Sequence, residues 1–451
     1  MATTGQGSQS KTAVEIIGDL PWCFGVQGVI FLACGLAYMF DAGNVLLTGF
    51  VMSMIKPLWR LSAIQVGTFG MVTFLGMGIG AMISGALADT FGRKRTYVGT
   101  LLCFSLFSFA CALAPSFPWL LAARFLVGLG LGGIVPVVYS LVAEFMPATV
   151  RGKALNVIDI FWGVGGIFNG FVATLLAPYE NWRLLFLPTV LPLLLALWAI
   201  FCLPESPSFL AQRGCWKEAS CIINQLIQKT NAELGTWRLT FGEQRRPQDY
   251  GVISRFRKLF EFDWKLTVQL WIVVMLIFVH RKGAEVWLPS ILVAEGYSHQ
   301  KAFLTAGIMY PAGLAGILVS TWLIDVWGRK KFIIVSSVLS AVLIVGFTKV
   351  LAMPGWAQTA IVLYGFVGEA AIATLYTFTS ESYPTNLRAT GFGCASLVGR
   401  LTMAFLVSLL FGGILWPTVG PSNAFIVVGI LLIASMVILN RLPETRGKAL
   451  N

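Results

Sequence analysis

Eight charged side chains lie well inside apolar runs, where a charge is hardest to place: Asp41, Arg124, Asp159, Arg281, Lys282, Glu285, Glu369 and Arg400. An Arg, Lys or Asp at the centre of a membrane-spanning helix costs about 2.5–3.5 kcal/mol on insertion scales, so such residues face a cavity or a partner and mark ion, proton or cargo sites. Four are basic and four acidic, so their total charge names neither an anion nor a cation as cargo. His280-Arg281-Lys282-Gly283-Ala284-Glu285 gathers three of them. Glu285 is four residues from Arg281 and three from Lys282, so it reaches either on one helix face. The bland reading is an intrahelical ion pair beside a glycine kink. However, two adjacent cations point in different directions around a helix, so one glutamate is not expected to satisfy both. That leaves a cation for a carboxylate in a cavity. Glu369 sits among Gly368, Ala370 and Ala371, small residues that let another helix approach. It is expected to pair with Arg281 or Lys282, or to carry a proton.

The elements that must position these residues follow from composition. The chain has 451 residues, 57% hydrophobic and only 12% charged, with a mean hydropathy of +0.79. A soluble chain carries about 25% charged residues, so an ordinary soluble enzyme, a disordered protein and a fibrous repeat are excluded. Apolar runs of about 20 residues, each enough to cross a hydrocarbon core of about 30 Å as a helix, predict an all-α membrane protein. Twelve spans are expected at 28–53, 66–88, 97–114, 119–143, 154–177, 184–203, 268–294, 301–324, 332–352, 358–380, 390–415 and 422–440. They form two six-helix bundles, 28–203 and 268–440, flanked by an N-terminal segment 1–27 and a C-terminal segment 441–451 and joined by a linker at 204–267 with short helices.

With both termini cytoplasmic, the inside segments hold 23 Lys and Arg, and the outside segments hold four: Lys56, Arg60, Arg183 and Lys301. That asymmetry sets the orientation and accounts for the net charge of +12 without nucleic acid. Tryptophans 22, 59, 119, 182, 356 and 416 fall near span ends, as an interfacial belt should. No signal peptide is expected at the N-terminus, and Val14 to Trp22 is a candidate for lying on the membrane surface. The eight cysteines form no CxxC pair and the two histidines lack ligand spacing, so no metal or disulfide framework is expected. No HExxH, GxSxG or Walker loop suggests an enzyme or an ATP site.

The two halves repeat. Asp89-Thr-Phe-Gly-Arg-Lys-Arg recurs as Asp325-Val-Trp-Gly-Arg-Lys-Lys; Glu144-Phe-Met-Pro-Ala-Thr-Val-Arg as Glu381-Ser-Tyr-Pro-Thr-Asn-Leu-Arg; Pro204-Glu205-Ser206 as Pro443-Glu444-Thr445. The offsets are 236, 237 and 239 residues. These motifs, with Gly85-Ala-Leu-Ala-Asp89, Arg124-Phe-Leu-Val-Gly-Leu-Gly-Leu-Gly and Pro443-Glu-Thr-Arg-Gly, resemble the signatures of the major facilitator superfamily, in its sugar-porter and organic-ion branch. In the second copy Thr321 replaces the first glycine of the loop signature, which is expected to loosen that loop. Tyr38-Met-Phe-Asp41-Ala, Phe161-Trp162-Gly-Val-Gly, Trp287-Leu-Pro-Ser and Glu381-Ser-Tyr-Pro-Thr-Asn-Leu-Arg-Ala-Thr-Gly are most similar to bacterial niacin-type transporters, relatives of organic cation and anion carriers. The short first outer loop and the absence of any Asn-x-Ser/Thr sequon favour a bacterial inner membrane.

The resemblance implies a secondary active transporter that works as a monomer without a cofactor. Its cargo is expected to be a small aromatic monocarboxylate such as nicotinate, moved with protons. It also implies that Asp41 and Arg124 form a proton-coupling pair, in which a carboxylate that loses its arginine takes up a proton more readily. A static salt bridge is the alternative. Counted from the outer span ends, Asp41 lies about 10 Å deeper than Arg124 at 1.5 Å per residue, which strains either version. Arg400 is implied as a contact for anionic cargo, with pairing to Glu369 or Glu285 as its alternative. Trp162, Tyr139, Trp271, Tyr310 and Tyr376 lie in spans whose relatives line the cavity and could stack on a flat ring. The set Asp89, Arg93, Glu144, Arg151 and Glu205, with its repeat Asp325, Arg329, Glu381, Arg388 and Glu444, is expected to link the halves as a cytoplasmic gate. Sugar or polyol symport, organic-cation transport and a non-transporting sensor are the competing readings.

Overall fold

The computed structural model describes residues 9–232, 237–240, 252–350 and 353–445. Among them, eleven helices are long and apolar enough to cross a membrane. They are α1 (Phe24–Leu58), α2 (Ala63–Phe91), α3 (Arg93–Ala112), α4 (Phe117–Phe145), α5 (Ala148–Tyr179), α6 (Trp182–Cys202), α7 (Arg257–Ala294), α8 (His299–Trp327), α9 (Arg329–Lys349), α10 (Gly355–Glu381) and the stretch Thr390–Arg441. That last stretch has 52 residues; drawn straight it would run about 78 Å, far beyond one hydrocarbon core. It is broken at Gly420, whose φ of +81° suits glycine, and Pro421 follows. The Phe411 and Phe425 rings on either side come within 5.4 Å of each other, so the chain doubles back. The two arms, α11 before Gly420 and α12 after it, complete twelve crossings. The chain is a multi-pass membrane protein. Its outer surface carries bare apolar side chains, such as Phe201, Trp322 and Met82, suited to lipid rather than water.

Helix limits have local causes. Ser62 and Gln65 form a reciprocal capping box that starts α2. Gly92 (φ +106°) and Gly328 (φ +88°) separate α2 from α3 and α8 from α9 in the two copies of the loop signature. Three membrane helices are not continuous: α5 is interrupted at Ile158–Asp159, α8 at Ile308, and α7 bends at Asp263. In α11, Thr402–Leu415 widens into a π-type helix.

The linker carries short helices at Pro207–Gln212 and Trp216–Thr230. The N-terminal helix Ala13–Gly18, part of the segment expected at the membrane surface, docks on the linker. Its Ala13 and Ile16 pack on Ile223 of the second linker helix, and residues 9–11 pair in parallel with 237–239. A buried apolar face against the linker explains why this segment docks on protein.

The halves close on one another at the end away from the loop signatures. A β-carbon on Gly49 of α1 would run into the Val286 carbonyl of α7. One on Gly67 of α2 would stand 2.8 Å from the Ser408 carbonyl of α11, and one on Gly170 of α5 2.8 Å from Gly307 Cα of α8. The Phe50 and Phe303 ring centres are 4.7 Å apart with the rings tilted, and Lys56 Nζ lies 5.2 Å from the Trp416 ring centre. Glycines thus let three pairs of backbones from opposite halves meet, with two side-chain contacts beside them.

Candidate functional site

Helix α7 sets the buried centre of the second half. Lys282 Nζ lies 2.6 Å from Glu285 Oε2, and Arg281 Nη1 lies 3.5 Å from the same oxygen. Arg281 turns its other end toward α10, where Nη2 meets Glu369 Oε2 at 2.7 Å. Glu285 thus reaches both cations and Glu369 adds a second carboxylate to Arg281, so neither cation is left over for a cargo carboxylate as the spacing had suggested. Tyr364 donates a hydrogen bond to the His280 carbonyl at 3.0 Å, and its ring faces the Arg281 guanidinium at 5.8 Å. Arg281 and Lys282 are both buried and both paired, which offsets part of the cost of taking a charge out of water. Lys282 also projects toward the first half, its Nζ 5.1 Å from the Trp162 ring of α5.

The first half handles its charges differently. Asp41 and Arg124 are both fully buried, yet no hydrogen bond or ion pair joins them. The expected pair is therefore not formed in this structure. Arg124 lies between the rings of Phe69 on α2 and Phe186 on α6, its guanidinium carbon 5.1 Å from each. A desolvated cation over an aromatic face gains about 2 kcal/mol, which gives Arg124 a partner the sequence did not disclose. The mismatch in depth between the two residues is the physical reason they stay apart. Asp41 has neither oxygen hydrogen-bonded among the described residues; burial is the main influence on its carboxyl group, and Arg400 of the opposite half, which does not touch it, the lesser one.

Arg400 pairs with neither Glu369 nor Glu285. It is half-buried, and its Nη1 donates to the Met77 carbonyl of α2 at 3.1 Å, across the interface. Among the described residues no carboxylate lies within ion-pair distance of it. Asp159 stands at the interruption of α5 and accepts a hydrogen bond from Tyr139 of α4. The ring of Tyr38 meets those of Tyr139 at 6.2 Å and Trp162 at 5.5 Å. Tyr376 of α10 is 37% exposed and packs edge-on to Phe278 and Phe392.

The structure therefore brings Arg281, Lys282, Glu285, Glu369, Trp162 and Tyr310 to one place, Tyr310 lying against Gly166 within the field of Glu285 and Arg281. Trp271 does not join them. It lies about 15 Å along α7 from Arg281 and packs edge-on to Phe260 at 5.6 Å. Sequence spacing missed Phe69, Phe186 and the Met77 carbonyl, since nothing local marks a contact between distant helices.

At the loop-signature end the two copies build the same network. Arg93 contacts Asp89 at 3.1 Å and Glu144 at 3.2 Å, while Glu205 accepts from the Lys94 amide at 3.0 Å. Arg329 contacts Asp325 at 3.0 Å and Glu381 at 3.1 Å, and Glu444 accepts from the Arg329 and Lys330 amides at 3.0 and 3.1 Å. Arg151 departs from expectation by donating to the Met146 carbonyl rather than to an acid. The side chain of Arg388 lies outside the described residues. Every one of these contacts stays inside its own half, so the expected link between halves is not made here among the described residues.

A family model described as the Major Facilitator Superfamily matches residues 30–407. The niacin transporter of Acinetobacter baylyi is 34% identical over 430 residues, covering 92% of this chain and 94% of that one. The gallate transporter of Pseudomonas putida is 28% identical over 408 residues, covering 90% and 89%. Among solved structures, the xylose transporter of E. coli in its inward open conformation superposes with a TM-score of 0.76 at 17% identity, covering 94% of this chain and 98% of that one.

Proposed function

The chain belongs to the major facilitator superfamily of transporters, and on that premise we propose that it imports a small aromatic monocarboxylate, such as nicotinate, together with protons. The observation that carries this reading is Arg400. Arg281 and Lys282 have their carboxylates in Glu369 and Glu285. Arg400 instead stands half-buried at the interface, held by a neutral carbonyl. It is the natural place for a cargo carboxylate, which an arginine fork binds through two parallel hydrogen bonds. Niacin and gallate, in the names of the relatives, are both aromatic rings bearing one carboxylate. Trp162, Tyr38, Tyr139, Tyr310 and Tyr376 supply flat faces around the same interface, and the Arg281–Lys282–Glu285–Glu369 network fixes its second-half wall.

Coupling follows from Asp41. Its carboxyl group is buried without a hydrogen bond among the described residues, and Arg400 is the cation that reaches it through space. A carboxylate takes up a proton more readily once a nearby cation is engaged elsewhere, so cargo on Arg400 and a proton on Asp41 load together. Arg400, rather than Arg124, is the cation in this exchange. Alternating access then rocks the halves about the site. With the loop signatures on the cytoplasmic side, as the arginine and lysine distribution requires, the glycine-lined closure shuts the outer face. The loop networks, self-contained in each half, would bridge the halves in the opposite state.

The test is uptake of labelled nicotinate by proteoliposomes, with and without an inward proton gradient. Gradient-stimulated uptake, competed by benzoate and no longer gradient-stimulated in Asp41→Asn, is the expected result. Uptake indifferent to the gradient removes the coupling role of Asp41. No uptake of nicotinate or benzoate by folded protein removes the cargo class.

A further inference from the structure

Asp159 is a carboxylate that the transport reading has not used. It sits where α5 is interrupted, half-buried rather than sealed, and its Tyr139–Tyr38–Trp162 surroundings reach the second half, where Lys282 lies over the Trp162 ring. Among the described residues no cation lies within ion-pair distance of it. Tyr139 donates to its Oδ1, and the hydroxyl of Tyr38 acts on the same carboxyl group. An ionised carboxylate has about four acceptor sites, more than two phenols fill. Tyr376, contributed by the other half and partly exposed, feels the charges of both Asp159 and Arg400. The interface therefore has an acidic pole from the first half and a basic pole from the second, with the Tyr376 phenol in electrostatic reach of both and the Trp162 ring alongside Tyr38.

We propose that Asp159, positioned by Tyr139, is the specificity pole of the cargo site: it accepts a hydrogen bond from a ring hydroxyl of the cargo and repels a second carboxylate. The inference rests on the aromatic monocarboxylate reading above and refines it. A ring whose carboxylate meets Arg400 presents its far edge to Asp159. A phenolic hydroxyl there is a donor and is satisfied. The ring nitrogen of nicotinate is an acceptor and gains nothing from a carboxylate, and the second carboxylate of a dicarboxylate meets like charge. Hydroxybenzoates are thus the preferred members of the class.

The experiment is competition against uptake of labelled benzoate in proteoliposomes by 4-hydroxybenzoate, 3-hydroxybenzoate, nicotinate and terephthalate, paired with ligand-induced shifts in unfolding temperature of the purified protein. The readout is the ratio of affinities, so a general loss of activity cancels. In the unaltered protein the better hydroxybenzoate should compete about tenfold more strongly than nicotinate, the discrimination of one charge-assisted hydrogen bond. Terephthalate should compete poorly. In Asp159→Asn the hydroxybenzoate advantage should fall to about twofold or less and terephthalate should gain, since an amide neither carries the charge nor repels one. Tyr139→Phe, which frees the carboxylate from its holder, should move the same ratio part of the way. An unchanged ratio in Asp159→Asn, or equal weakening of all four competitors in both variants, overturns the role of Asp159 while leaving the cargo class intact. Failure of the unaltered protein to bind or take up benzoate and all the monocarboxylates overturns the cargo class itself, and this inference with it.

Discussion

The two halves of this chain agree at their loop ends and disagree in the middle. Arg93 and Arg329 each bridge an aspartate four residues back and a glutamate at the end of another helix, at distances that match within a tenth of an ångström. Toward the membrane centre that symmetry is gone. The first half leaves Asp41 without a hydrogen bond and holds Arg124 between two phenyl rings. The second half ties Arg281 to two carboxylates and Lys282 to one of them. On the transport reading proposed above, the ends perform the same mechanical task twice and keep the same geometry, whereas the middle grips a small asymmetric molecule, which two identical walls cannot do.

The comparison is open to breaking at several points. The largest effect is expected in the paired middle of the second half: Glu369→Gln leaves Arg281 with one distant carboxylate and should cost about 3–5 kcal/mol, as breaking a buried pair does. Replacing both partners, Arg281→Met with Glu369→Gln, should recover much of that loss in thermal unfolding of the purified protein. If the single variant unfolds like the parent, the pair is not structural and the contrast between halves weakens.

Next come the two loop glycines. Both have a positive φ, so Gly92→Ala and Gly328→Ala should each destabilise by about 1–3 kcal/mol. The first should be the worse, because its β-carbon would run into Glu205 Oε2, whereas at Gly328 it would stand 2.9 Å from Glu444 Oε2. A reversed order would show that the two loops are not equivalent in the way their distances suggest.

Smaller still are the exposed acids of the same loops. Asp89 and Asp325 are 74% and 70% exposed, so Asp89→Asn and Asp325→Asn should each change stability by about 0.5 kcal/mol or less. Their effect should appear instead in transport rate, where a link between halves matters. Smallest is Gly85→Thr, which copies the second half into the first. A β-carbon at Gly85 meets nothing within 4 Å, and Thr321 already occupies the matching place with its hydroxyl on the Leu318 carbonyl. Unfolding temperature should not move by more than a degree or two, the change expected of a surface substitution within about 0.5 kcal/mol. This also corrects the expectation that Thr321 loosens the second loop: the position faces open space, so it bears no load.

Much of the fold was legible in the residues. Twelve apolar runs and the repeated loops needed only span length and spacing, and the structure keeps them; α7 begins at Arg257, inside the stretch read as linker. Arg281, Lys282 and Glu285 were legible for the same reason: three and four residues along a helix are neighbours by geometry. Between helices only Glu369 was matched to its partner, as one of two candidates, and it meets Arg281. Nothing in the string around Arg124 points to Phe69 and Phe186, and Asp41 was assigned to Arg124 by resemblance when the charge acting on it comes from Arg400. The N-terminal helix was read as a membrane-surface segment because its apolar face was visible and the linker face it covers was not.

The sequence by itself determined that the chain spans a membrane, how many times, and where its charges interrupt that pattern, because hydrophobicity, helix periodicity and glycine breaks act over tens of residues along one chain. Only the tertiary structure decided which charge meets which, because a buried ion is governed by whatever stands within a few ångströms, and across packed helices those neighbours can be hundreds of residues away. Arg400 on Met77, 323 positions apart, is the plainest case.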